Sequence, residues 1–165
     1  MYEIGSYIIK NTNGVCKVEG IVYPDNTARA QDKKYYLLVP VGEPNGKVYV
    51  PVDTASNTTR NVMSEDEVWN LINRINDIDE ISVNDEKMRE TIYKETIKAR
   101  NPETLVSILK VIYQRKQDRL SQGKKSTATD DRYFKLAKDY LYSEIGFVLG
   151  KNKEEVGNLI QETIG

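Results

Sequence analysis

Between Lys110 and Lys138 the sequence carries nine basic residues: Lys110, Arg115, Lys116, Arg119, Lys124, Lys125, Arg132, Lys135 and Lys138. Three acids, Asp118, Asp130 and Asp131, accompany them. The whole chain balances 24 Lys and Arg against 25 Asp and Glu, a formal net charge of -1, so the concentration is local. The chemistry such a cluster can do is electrostatic: it neutralises phosphates and releases their counterions, giving a salt-dependent, largely sequence-independent attraction to nucleic acid. A solvated helix face is the plainer account, but such faces usually mix both signs at i to i+4 spacing. An acidic protein segment or an anionic membrane would satisfy the same charges. The membrane fits less well, because the stretch lacks the Trp, Phe and Leu face that an interfacial helix inserts. Tyr113 and Tyr133, interleaved with the basic residues, could contact sugar or bases, but core packing is the favoured expectation for both.

Other chemistry is sparse. The chain has no histidine and a single cysteine, Cys16, so it has no Ser-His or Cys-His nucleophile pair, no histidine-bearing zinc site, no cysteine cluster and no intrachain disulfide. Cys16 lies in an apolar stretch and is expected as a small buried hydrophobe. Neither a GxGxxG nor a GxxxxGK[ST] phosphate loop occurs. An enzyme is therefore the unfavoured class, and no cofactor is implied. No run approaches the roughly 20 apolar residues of a membrane span, and the start, MYEIGSYIIKNTNG, lacks a basic n-region and an apolar h-region. A cytosolic protein is expected.

The elements that must position the charge come in two kinds. In the first sixty residues, YIIK, GVCKVEGIVY, KKYYLLVPV and KVYVPV are rich in β-branched and aromatic types and read as strands. Asn13-Gly14 and Asn45-Gly46 suggest tight type I′ hairpins, whose product is a small curled antiparallel sheet or partial barrel. After Asn61 the period changes. Ser64 with Glu67 forms a capping box ahead of Val68, Leu71, Ile72 and Ile75, which share one helix face. Trp69, the sole tryptophan, is expected at the junction of sheet and helix. The stretch 76–86, NDIDEISVNDE, reads as an acidic linker.

Beyond it, MRETIYKETIKAR reads as a helix. Asn101-Pro102-Glu103 then supplies an N-cap, a proline at the first position and an acid in the first turn of the next. That helix buries Leu105, Ile108, Leu109 and Ile112, carries Arg115, Lys116 and Arg119, and stops at Ser121-Gln122-Gly123. A further helix starts near Thr129 or Asp130, carries Tyr133, Phe134, Ala137, Leu141, Ile145 and Val148, and stops at Gly150. Asn152 with Glu155 repeats the cap pattern and opens the last, followed by Val156, Leu159 and Ile160. The expected organisation is α+β: a β module over 1–60, a connecting helix and acidic linker over 61–86, and a basic helical bundle over 87–165. The segment 61–86 holds eight acids against Arg74 alone, and 139–165 holds five acids against two lysines, so the basic surface is set in acidic surroundings.

The order of these pieces resembles the CarD family of bacterial transcription regulators, whose first part is shared with the polymerase-binding module of transcription-repair coupling factors. IGSYIIKNTNGVCKVEGI is similar to the family's IGDxVVYxxxGVxxVExI pattern. YYLLVPV and VYVPVD continue it, and NVMSEDEV is similar to its xVxSxEE helix start. In the second half the resemblance lies in SILKVIYQRKQDRLSQGKK and in RYFKLAKDYLYSEIGFVLG, similar to the family's ARxxLxxELAxxLG helix. The resemblance implies a Tudor-like β module docking on the RNA polymerase β subunit, a helical module gripping double-stranded promoter DNA at the upstream edge of the transcription bubble, and an altered open-complex lifetime.

It further implies strand addition at Val48, Tyr49, Val50 and Pro51, with Lys47 beside them, and basic residues near DNA at Arg89 and Arg132. From charge alone, Arg115, Lys116, Arg119, Lys124, Lys125 and Lys135 join the expected DNA surface. Tyr49 stands where some members carry a basic side chain. The family's wedge tryptophan, which precedes the first helix of the DNA-binding module, has no counterpart: Ile75 to Gly165 contains no tryptophan, and Met88 and Ile81 are the apolar residues nearby. A second reading keeps the fold without DNA, as a polymerase-bound or self-associating module whose basic surface meets an acidic segment.

Overall fold

The computed structural model describes residues 1–23 and 33–164, and the side chains of all but the last of these. Residues 24–32, inside the expected β module, and Gly165 lie outside the described residues. Alternation of β-branched and aromatic residues builds five antiparallel strands: β1 (Tyr7–Lys10), β2 (Gly14–Val22), β3 (Tyr35–Pro40), β4 (Val48–Pro51) and β5 (Thr59–Asn61). They lie in the order β4-β3-β2-β1-β5. Ile8, Cys16, Val18, Tyr36, Leu38 and Val50 point to one face and are buried there with Ala55. Cys16 is wholly buried, as expected.

Neither Asn-Gly pair makes a type I′ turn. In the β1–β2 loop Lys10 pairs with Gly14, Asn13 N–H donates to the Lys10 carbonyl at 3.0 Å, and only Gly14 takes positive φ, at 76°. This is the longer hairpin in which a left-handed glycine follows the turn. In the β3–β4 loop Gly46 keeps an ordinary φ, and two successive turns, Glu43 N–H to Pro40 and Gly46 N–H to Glu43, lead the chain across.

The sheet must curl. Its edge strands, β4 and β5, are joined only by a six-residue 3₁₀ turn, Val52–Asn57, and Thr58, which together span about 15 Å at about 2 Å per 3₁₀ residue and about 3.4 Å for an extended one. Five flat strands would hold their outer members about 19 Å apart. The extra residue between Val18 and Gly20, where the β2–β3 register shifts, adds local twist. A curled, Tudor-like sheet results.

The chain divides between Val62 and Met63 into two units. The second comprises α1 (Glu65–Asn73), α2 (Arg89–Ile97), α3 (Pro102–Ser121), α4 (Ala128–Leu149) and α5 (Lys153–Ile164). Its caps follow the sequence. Ser64 and Glu67 bond reciprocally, Asn101 accepts from Glu103 and Thr104 N–H, and Asn152 and Glu155 exchange two bonds. Helix α4 starts slightly earlier than expected, because Thr127 rather than Thr129 caps it by accepting from Asp130 N–H.

Met63, Val68, Leu71, Ile72 and Ile75 join Tyr93, Ile97, Leu105, Ile108, Ile112, Tyr133, Ala137, Leu141, Ile145, Val156 and Ile160 in one core. Each large aliphatic buried there contributes about 1.5–3 kcal/mol relative to exposure. Helix α1, placed by sequence in a connecting segment, is thus part of the helical unit, and Trp69 packs on that core. The acidic stretch is non-helical after the 3₁₀ turn Ile75–Asp77 until a second turn, Glu86–Met88. Ile78, Ile81 and Val83 lean on the core.

Candidate functional site

Two surfaces, one in each unit, can engage a partner. The first is the outer edge of β4, which pairs with no further strand among the described residues. Val52 N–H donates to the Lys34 carbonyl at 3.0 Å. Antiparallel pairs alternate between bonded and non-bonded, so Tyr36/Val50 and Leu38/Val48 are bonded pairs, whereas Leu37/Tyr49 and Tyr35/Pro51 are not. The N–H and C=O of Tyr49 and the C=O of Pro51 therefore turn away from β3. Proline is tolerated at position 51 because no ladder donor is required there. Side chains alternate in step: Val50 is buried, while Tyr49 is 54% exposed on the opposite face, across from Leu37. Lys47 is exposed at the entrance to the strand.

The second surface gathers the sequence-predicted basic residues unequally. Arg89, at the start of α2, grips Glu86 through two bonds, Nε to Oε2 at 2.9 Å and Nη2 to Oε1 at 2.6 Å. Its Nη1 donates to the Tyr93 hydroxyl at 3.0 Å. Arg115, from α3, donates through Nε to Asp130 at 2.8 Å and through Nη1 to Glu86 at 3.3 Å. Asp130 is fully buried and accepts from Tyr93 Oη at 2.9 Å. Arg132 pairs with Glu90 at 2.6 Å and donates to Tyr133 Oη at 2.8 Å.

The hydrogen bonds from Arg89, aided by its charge and that of Arg115, hold the Glu86 carboxyl at about 2 against an ordinary 4.5. The same Glu86 bond raises Arg89 further above its already high value. Burial pushes the Tyr93 phenol up, with the Asp130 carboxylate adding to it. Arg119 donates from Nε to the Lys125 carbonyl at 2.7 Å, tying the loop that follows back to the end of α3. By contrast, Lys116, Lys124, Lys125 and Lys135 are exposed, and their ammonium groups have no partner among the described residues.

Lys110, counted with the basic stretch, points elsewhere. Its ammonium donates to the carbonyls of Ile75 at 3.0 Å, Asn76 at 3.3 Å and Ile78, capping the 3₁₀ turn. Ser107 adds a bond to the Asp79 carbonyl at 2.6 Å, so the expected linker is strapped to α3. Tyr113 corrects an expectation: it is 56% exposed, whereas Tyr133 is buried. Met88 is exposed at the start of α2. The residues missed from sequence are the partners: Glu86, Glu90, Tyr93 and Asp130. Asp130 reads as an ordinary first-turn acid after Thr127, and nothing local reveals that Arg115 and Tyr93 close on it.

The first unit is thus a curled sheet with β4 at one edge, and the second is a separate helical unit. Residues 2–63 match the family model of the CarD-like/TRCF RID domain, ending within one residue of the boundary between the units. The chain carries a domain of this CarD-like family, and its first unit is an RNA polymerase-interacting, transcription-associated module. No curated protein matches the chain. No helix among the described residues is long and apolar enough to cross a membrane.

Proposed function

We propose that the protein is a non-enzymatic transcription regulator. In this reading it docks on the RNA polymerase β subunit by strand addition at β4, contacts promoter DNA near the upstream bubble edge through its helical unit, and changes the stability of the open complex. The observation that carries the docking half is the outward register of Tyr49, whose backbone donor and acceptor suit a sixth strand. The DNA half rests on Lys116, Lys124, Lys125 and Lys135, whose charges are unneutralised. Holding two linked partners lets weak contacts act together, because docking on one raises the effective concentration at the other.

The ion pairs of Arg89, Arg115 and Arg132 favour a second reading, a polymerase-bound or self-associating module without DNA contact. Fluorescence anisotropy of a forked promoter DNA, with and without polymerase and across a salt series, separates the two. DNA binding that tightens with polymerase and falls steeply with salt supports the two-partner factor. Polymerase binding to which DNA contributes nothing rejects it in favour of the interaction module.

A further inference from the structure

The Glu86 carboxylate is held in an unusual way for a structural ion pair. Its side chain is 69% exposed, while the guanidinium that grips it, Arg89, is only 11% exposed and the second, Arg115, is 24% exposed. The cationic side is built in and the anionic side is not. Behind the carboxylate, Tyr93 Oη receives Arg89 and donates to Asp130, and Asp130 fixes Arg115. The Arg89 guanidinium also lies over the Tyr93 ring, 5.7 Å from its centroid. Both donors are thereby oriented before anything binds. Glu86 itself sits on a single 3₁₀ turn, Glu86–Met88, at the end of the non-helical stretch.

We propose that the cleft between Arg89 and Arg115 is an oxyanion seat for one phosphodiester of the nucleic-acid backbone, and that Glu86 is the group that phosphate displaces. This inference rests on the DNA-binding reading and assigns it a contact and an internal competitor.

Charge supports it. Arg89 and Arg115 against Glu86 and Asp130 sum to zero. With the Glu86 side chain turned out to solvent the remaining cluster is a single positive charge, which one phosphodiester neutralises. Geometry supports it as well: two side-by-side donors of one guanidinium with a third from another is the arrangement that binds carboxylate and phosphate alike. A swing of Glu86 leaves no buried acid unpaired, because Asp130 keeps both its partners. The depressed titration of Glu86 shows how well the seat suits an anion.

The test uses the full chain in salt-dependent anisotropy with duplex promoter DNA, comparing wild type, Glu86→Gln, Glu86→Ala and Glu95→Gln. Glu95 is an exposed acid on α2 outside the cluster, so it measures the general effect of removing one negative charge. Thermal melts and circular dichroism establish that each variant is folded. The expected result is an affinity gain of about twofold to fivefold for both Glu86 variants, the range that loss of an exposed competing ion pair supplies, with Glu95→Gln close to wild type. Equal gains for Glu86→Gln and Glu95→Gln, with wild type binding DNA through Lys124 and Lys125, overturn the seat and leave the DNA reading standing. Absence of DNA binding in every folded variant overturns both.

Discussion

The β4 edge and the Arg89–Arg115 cluster are in opposite states of completion. At β4 the ladder to β3 is satisfied, and the next set of backbone groups faces outward with Tyr49 above them. At the cluster, three arginines that look available in the sequence already hold Glu86, Asp130 and Glu90. An edge offers a partner bonds that the protein has never made, whereas the cluster offers bonds that must first be released. The count of basic residues therefore overstates the charge on offer, and the modest composition of VYVP understates what its edge can do.

The largest effect expected from breaking this contrast falls on the cluster. Asp130→Ala removes the buried acid from Arg115 and Tyr93, and truncating one member of a buried pair costs about 3–5 kcal/mol. Chemical denaturation should show that loss, and a change below about 1 kcal/mol would mean that the cluster is not a closed unit. Next comes the edge. Tyr49→Pro deletes an outward N–H without touching the ladder, so polymerase binding should weaken about tenfold or more while the sheet stays folded, the scale of a missing hydrogen bond with its partner stranded. Val50→Pro, which removes a donor facing β3, should unfold the module. A folded Tyr49→Pro variant with full polymerase affinity would reject β4 as the docking strand.

Smaller again is the effect of reversing Lys124 and Lys125 to glutamate. DNA affinity should fall and its log–log salt slope should flatten by about 2, close to one for each phosphate no longer neutralised, with polymerase binding intact. Equal weakening of both would reject the division of labour. The smallest effect concerns pH. The Glu86 carboxyl is depressed from 4.5 to about 2 when folded. Its contribution is therefore complete above the ordinary value and lost as pH falls through about 2. Titration of the Glu86 carboxyl carbon by NMR should give a midpoint near 2, and a midpoint near the ordinary value would mean that the clamp stands open in solution.

Much of the fold is legible in the sequence because its signals are local. The capping boxes at Ser64 and Asn152 and the proline start of α3 are decided within four residues, and so are the stops at Gly123 and Gly150. The two Asn-Gly pairs are the exception. Loop length, fixed by the pairing of Lys10 with Gly14 and of Leu38 with Val48, overrode the dipeptide preference. The strand proposed for docking is suggested in the sequence by the resemblance of VYVPVD, but the outward register of Tyr49 requires the pairing itself. The basic surface was legible only as charge. Arg115 meets Asp130 across fifteen residues and Arg89 meets it through Tyr93, contacts set by how α2, α3 and α4 pack, and no spacing rule anticipates them.

Lys110 gives the helical unit a chemical clock. Its ammonium is engaged by three backbone carbonyls, so acylating reagents react with it only when those bonds open, whereas Lys116, Lys124, Lys125 and Lys135 are exposed. The ratio of modification at Lys110 to that at its neighbours, followed by mass spectrometry, measures how often this contact between α3 and the 75–78 strap opens, separately from global unfolding.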